Sequence, residues 1–234
     1  MPVCAAPPFA ADHARSCDAR WRAHDLLRLR RLPYFDGEPD WVRAAFERAP
    51  YVVVRRALTA DGFLAVGLRG AQRSHRYGTW VKTDDVDDAV TPEALCGREP
   101  PATRAGLPAF KALAALQRDW SQARTATENA LVWGPTGSTG FELATQVSAV
   151  SASSDLDLLI RTPAKLPLEH AAHLLTQLQT IAAEAGVRID AQLETPAGGV
   201  ALAEWAANKP RVMARHARGP QLIADPWASA HEMR

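Results

Sequence analysis

Trp133-Gly134-Pro135-Thr136-Gly137-Ser138-Thr139-Gly140-Phe141-Glu142-Leu143-Ala144-Thr145, followed by Ser154-Asp155-Leu156-Asp157-Leu158-Leu159-Ile160, decides the fold of this 234-residue chain. Ala130-Leu131-Val132-Trp133 is a short apolar run that reads as a strand ending at Gly134. Gly137-Ser138-Thr139-Gly140 reads as a turn, and a short helix is expected from about Phe141 to Gln146. Ser154–Ile160 is a second strand.

Downstream, Pro167 opens an expected helix whose apolar face carries Ala171, Leu174, Leu175, Leu178, Ile181 and Ala182. Gly186 stands where a left-handed cap would close it. Val187-Arg188-Ile189-Asp190-Ala191-Gln192-Leu193-Glu194 alternates strictly and reads as a further strand. Strands alternating with helices imply a layered sheet.

Upstream, Pro108 starts a helix with Phe110, Leu113, Leu116, Gln117 and Trp120 at spacings of three and four. Residues 91–107 hold Pro92, Gly97, Pro100, Pro101 and Gly106 without periodicity, which predicts a linker. In residues 21–90, Tyr51-Val52-Val53-Val54 and Phe63-Leu64-Ala65-Val66-Gly67-Leu68 read as a hairpin, with Asp61-Gly62 before the second run. Residues 1–20 are rich in Ala and Pro and are expected to be loose. The reading is α+β: a small N-terminal α/β domain over 21–90, a linker over 91–107, and a catalytic domain with a mixed sheet over 108–234.

Composition excludes several classes. The chain is 47% hydrophobic and 23% charged, ordinary for a soluble globular protein. Lys plus Arg is 27 against 26 for Asp plus Glu, a net charge of +1 that argues against a coat for nucleic acid or anionic membrane. No run reaches the roughly 18 apolar residues of a membrane span, and Met1–Pro8 lacks the basic and apolar regions of a secretory signal. Cys4, Cys17 and Cys96 form no C-x-x-C pair, so neither a disulfide framework nor a zinc site is expected. A cytoplasmic protein with reduced cysteines is the expectation.

The chemistry centres on Asp155-Leu156-Asp157. Alternate residues of a strand share a face and stand about 6.6 Å apart along it. Two acids so placed repel each other and suit a hard divalent ion, magnesium being the one that takes one or two carboxylates plus substrate phosphates. A solvated polar strand is the plain alternative. Gly134–Gly140, between strand and helix, can turn backbone amides toward an anion, although a glycine turn is often only structural. It lacks the Lys of a Walker loop and the G-x-S-x-G of a nucleophile elbow. On the next strand Asp190 and Glu194 share a face with Arg188 and Gln192, so Asp190 could complete a three-carboxylate site.

These signals together resemble the nucleotidyltransferase superfamily of the DNA polymerase β type: strand, Gly-Ser, helix, D-x-D on a strand, then a third acid. The Ser138-to-Asp155 separation is longer than usual there and marks a variant branch. The flanking strings narrow it. Trp133–Thr145, Ser154–Leu159, Gln192-Leu193-Glu194-Thr195-Pro196, Gly198–Leu202, Glu204-Trp205-Ala206 and Asp225-Pro226-Trp227 are similar to the phosphoribosyl-dephospho-CoA transferases of malonate decarboxylase, the holo-acyl-carrier-protein synthases. Trp21, His24-Asp25-Leu26-Leu27, Val66–Gly70 and Arg73 extend the likeness into the first block.

The resemblance implies a transfer in which triphosphoribosyl-dephospho-CoA is the donor and a serine of the apo acyl-carrier subunit of malonate decarboxylase is the acceptor, with pyrophosphate leaving. It implies Mg2+ on Asp155 and Asp157, with Asp190 completing the site and orienting or deprotonating the serine. It also implies that Gly137 and Ser138 contact the β- and γ-phosphates. Arg69, Arg73 and Arg76 form a basic cluster suited to ligand phosphates or an acidic carrier, or simply to solvent. Other readings are a nucleotidyltransferase with another acceptor, including a citrate lyase carrier, and a non-catalytic assembly factor. His170 and His173, the acidic run Asp84, Asp85, Asp87 and Asp88, and Lys209, Arg211 and Arg215 carry weaker signals, for which solvated surface is the plainer account.

Overall fold

Val52 and Val54 are buried while Tyr51 and Val53 are only partly so, the alternation of a strand with one face on a core. A computed structural model describes residues 3–9, 20–124 and 131–228 of the chain. It is α+β and divides into two compact units, Met1–Thr91 and Pro92–Arg234. In the first unit the strands are β1 (Val3–Cys4), β2 (Leu26–Leu29), β3 (Tyr51–Val54), β4 (Phe63–Arg69), β5 (Arg76–Lys82) and β6 (Val86–Val90), with helix α1 (Trp41–Arg48) between β2 and β3. The sheet order is β1-β5-β4-β3-β2-β6, antiparallel except for β1 beside β5. Leu27, Val52, Val54, Leu64, Val66, Leu68 and Val81 form its core with Val42 of α1.

The expected hairpin exists as β3 and β4, but Val54 pairs with Val66, so residues 55–65 intervene and Asp61-Gly62 leads into β4 rather than forming a tight turn. Val3–Cys4, inside the stretch expected to be loose, pairs with Tyr77 and Gly78, and Ala5 is buried. Cys17, Ala130 and the last six residues lie outside the described residues.

The second unit holds α2 (Pro108–Arg124), β7 (Val132–Pro135), α3 (Gly137–Thr145), β8 (Leu156–Arg161), α4 (Leu168–Ala185), β9 (Ile189–Thr195), β10 (Gly198–Ala201), α5 (Leu202–Ala206), β11 (Val212–His216) and β12 (Gly219–Ile223). Its sheet runs β12-β11-β10-β9-β8-β7. β8 and β9 are parallel, joined by the crossover helix α4, and the other neighbours are antiparallel. The 3.6-residue pattern is realised: Phe110, Leu113, Leu116 and Trp120 of α2 and Ala171, Leu174, Leu178 and Ile181 of α4 are buried. Gly186 caps α4 at φ +66°. The two helices pack together, α2 on β8 and α4 on β9.

The stretch 91–107, expected as a linker, makes specific contacts within this unit. A 3₁₀ turn over Pro92–Leu95 lies on β7, where a Cβ on Gly134 would fall 1.9 Å from the Pro92 carbonyl oxygen. Glu93 pairs with Arg161 at 2.5 Å, and Leu95 is buried. Proline and glycine signal irregular backbone; they do not decide whether that backbone is anchored. At the far corner Trp205 and Trp227 meet edge to face at 5.0 Å, and their indole N–H groups donate to the carbonyls of Leu166 and Thr162.

Glu142, fully buried on α3, is the ionic anchor of this unit. Arg104 forks onto its carboxylate, and Nη2 of Arg104 also donates to the Val150 carbonyl at 2.6 Å. The amides of Ala149 and Val150 donate to Oε2 at 2.7 and 2.8 Å. Burial pushes the Glu142 carboxyl up, but the Arg104 guanidinium and the two amides outweigh it and hold it below the usual carboxylate range. The charged form is thus favoured by folding. Its contribution is present above the unfolded-state value and is lost as pH falls through the depressed folded value. Glu142→Gln, which leaves Arg104 without its charge partner, should cost about 3–5 kcal/mol in urea unfolding at pH 7. The gap from the parent should narrow as the pH is lowered below the ordinary carboxylate range. A gap that stays constant with pH would show that the carboxylate charge is not what anchors this corner.

Candidate active site

The site begins where β7 gives way to α3. The Thr136 amide donates to the Asp157 carbonyl at 2.8 Å, tying the loop to β8. α3 starts at Gly137, four residues before the expected start at Phe141. Its first turn closes through Gly140 N–H to the Thr136 carbonyl at 2.9 Å, and burial of Phe141 and Leu143 holds it. The glycine run that reads as an irregular turn is therefore the first turn of a helix, with Gly137 exposed and Ser138 only 7% exposed.

Gly137 is required twice over. Its φ is +59°, and a Cβ there would fall 2.0 Å from Oδ2 of Asp157. The sequence links this glycine to close approach of a ligand; the structure adds that the nearest group it admits is the Asp157 carboxylate.

The acids are arranged by β8 and β9. Asp155 immediately precedes β8 and Asp157 lies within it, while the intervening Leu156 and the following Leu158 are buried. In the parallel pairing Asp157 is opposite Asp190, whereas Glu194 is opposite Arg161. Asp190 thus adjoins the D-x-D strand at the α3 end, and Glu194 lies four residues further along, where Glu93 meets Arg161. Arg188, which strand parity groups with Asp190, lies just before β9. Its Nη2 donates to Oδ2 of Asp155 at 3.0 Å and to Oδ2 of Asp190 at 2.5 Å. On the neighbouring strands the Gln192 side chain lies over Gly199, and its Oε1 accepts from Arg215 Nη1 at 2.9 Å.

The donor set suits a hard cation: carboxylate oxygens only, beside a glycine cradle that a Cβ would fill. Among the described residues, however, no three His, Cys, Asp or Glu side chains are grouped closely enough to hold an ion as they stand. Arg188 occupies two of the oxygens such an ion would take.

The remaining expected residues lie elsewhere. Arg69 closes β4 opposite Arg76 on β5, and Arg73 is in the turn between them, all in the first unit. His170 and His173 are on the exposed side of α4. Asp85 and Asp87 are ion-paired with Arg31 and Arg28. Residues that sequence reasoning gave no role are Arg188, Arg104 and Glu142. The parity of β9 places Arg188 beside Asp190, but no local pattern pairs Arg104 with Glu142, 38 positions away.

Fold and site together define a two-unit α+β protein with an acidic strand-end cluster, and comparison with known proteins gives its class. Residues 98–226 match the model for the phosphoribosyl-dephospho-CoA transferase MdcG C-terminal domain, and residues 22–92 match that for its N-terminal domain. The chain belongs to the phosphoribosyl-dephospho-CoA transferase family. A phosphoribosyl-dephospho-CoA transferase of Pseudomonas aeruginosa is 43% identical over 211 residues, covering 88% of this chain and 94% of the relative. Its counterpart in Pseudomonas fluorescens is 43% identical over 208 residues with the same coverage. That of Azotobacter vinelandii is 39% identical over 206 residues, covering 87% and 93%. No solved structure matches the chain.

Two glycines in left-handed conformations allow a controlled test. Gly186 has open space around the position of a Cβ, while Gly137 has Asp157 there. Gly186→Ala should cost only the conformational penalty, about 1–2 kcal/mol. Gly137→Ala should cost more, because Asp157 must also move. Equal losses in urea unfolding would mean that the Gly137–Asp157 approach is not a fixed feature of the site.

Proposed function

We propose that this chain moves the phosphoribosyl-dephospho-CoA group from triphosphoribosyl-dephospho-CoA to a serine of the apo acyl-carrier subunit of malonate decarboxylase, in the cytoplasm and with Mg2+. The observation that carries this reading is the juxtaposition of Asp157 and Asp190 on adjacent parallel strands, beside the glycine start of α3, in a chain of this family. The second unit is read as a nucleotidyltransferase-like domain of the polymerase β type.

In that reading Asp155, Asp157 and Asp190 would hold the ion, which neutralises triphosphate charge when bound. The first-turn amides of α3 and the Ser138 hydroxyl bind the β- and γ-phosphate oxygens, where the helix dipole favours negative charge. The Asp190 carboxylate accepts the proton of the attacking serine hydroxyl. The serine oxygen forms a bond to the α-phosphorus as the bond to the pyrophosphate leaving group breaks. Catalysis here is positioning and charge neutralisation, without a covalent enzyme intermediate. Arg69, Arg73 and their neighbour Arg76 give the first unit a basic edge for anionic groups of the donor or the carrier. No helix among the described residues is long and apolar enough to cross a membrane, in keeping with soluble reactants.

The test is direct. The protein, Mg2+, donor and apo carrier are mixed, and the carrier is weighed by mass spectrometry. The expected result is a mass increase equal to the donor less pyrophosphate; an unchanged carrier at full donor concentration overturns the reading. In single-turnover form, Asp155→Asn, Asp157→Asn and Asp190→Asn should each slow transfer by about 10²-fold or more. Glu194→Gln, at the other end of the strand, should have a smaller effect. Were Glu194→Gln the more damaging change, the third carboxylate would be Glu194 and not Asp190.

A further inference from the structure

Three carboxylates brought to one end of β8 and β9 repel one another, and opposite charges within about 4–6 Å are what relieve such repulsion. Arg188 supplies one from the chain itself. A single nitrogen, Nη2, bridges Asp155 Oδ2 and Asp190 Oδ2. The Arg188 backbone is fixed as well, since its carbonyl accepts from the Leu156 amide at 2.9 Å, between the two acids of the D-x-D. The side chain is 65% exposed while those of Asp155 and Asp190 are 24% and 48% exposed, so the guanidinium has solvent to move into.

We propose that Arg188 is an exchangeable counter-cation for this site. It links Asp155 to Asp190 and competes with a divalent ion for their negative charge. The inference rests on the metal-site reading above and adds to it a residue that nothing in that reading requires. Both groups are cations drawn to the same carboxylates, so each weakens the hold of the other. Metal entry then carries two coupled consequences. It competes with an internal cation, and it loosens a guanidinium at the rim of the site read above as binding phosphates. Arg188 is on this account a positioning residue, acting through Asp155 and Asp190.

The measurement is Mn2+ binding to the full chain without donor or carrier, followed by electron paramagnetic resonance of free Mn2+. Arg188→Met removes the competitor and should tighten Mn2+ binding by about threefold or more, the scale expected from losing two partly exposed ion pairs. Arg188→Lys should fall between Met and the parent. Equal or weaker binding by Arg188→Met, with the parent binding Mn2+, overturns the clamp and leaves the metal site standing, because a scaffold residue would loosen the ligands when lost. No binding by either protein at millimolar Mn2+ overturns both. An independent readout needs no variant: in the parent, the Arg188 side-chain Nε–H resonance should shift on saturation with Mg2+. A resonance that stays in place while Mg2+ binds overturns the proposal.

Discussion

The in-register parallel pairing of β8 with β9 is the constraint on which the rest of the site depends. Leu156, Leu158 and Ile160 on one strand and Leu193 on the other are buried, so their face is committed to the core. Side chains alternate with a period of two, and a slip of one residue would turn Asp157 inward and Leu156, Leu158 and Ile160 outward. Burial of the apolar face therefore fixes where Asp157 and Asp190 stand. The parallel arrangement needs a crossover, and α4, with its apolar stripe and glycine cap, supplies it. The crossover lies on the apolar side, leaving the acidic side at the α3 end accessible.

Around this pair the chain divides its electrostatics by depth. Glu142 is fully buried, and it is matched by a forked arginine and two amides, which a buried charge demands. Asp155 and Asp190 are only partly covered, and their shared arginine is mostly in water. The first arrangement holds the C-terminal end of α3 and the loop after it. The second leaves charge at the surface to be exchanged. Gly137 joins the two regions, since its missing side chain lets the start of α3 close on the Asp157 carboxylate. A buried ion pair at one end of α3 is thus joined to a solvent-exposed one at the other.

The segment 92–95 performs a related task. It covers β7 at Gly134 and pairs Glu93 with Arg161, and so occupies the half of the acidic sheet face that includes Glu194. The proposed chemistry at this face therefore falls at the end near α3. The tryptophan strings that carry family likeness near the C-terminus have another purpose: Trp205 and Trp227 meet edge to face and tie down the backbone at Leu166 and Thr162. Part of what makes the sequence recognisable is thus packing, not catalysis.

The sequence alone determined the elements whose period is local: α2 and α4 from their apolar stripes, the Gly186 cap, the D-x-D strand, the alternation of β9, and the family. Those features depend on neighbours along the chain, and the hydrophobic period records them directly. Tertiary structure decided the rest. Pairing across 33 residues of sequence set Asp190, not Glu194, beside Asp157, because register depends on which faces are buried in both strands at once. It turned a glycine run into the first turn of α3, tied a proline-rich stretch to the sheet, and built an edge strand from Val3–Cys4. It also joined Arg188 to two acids and Arg104 to Glu142. Charge pairing between distant residues leaves no period in the sequence; it exists only where folding brings the charges within a few ångströms.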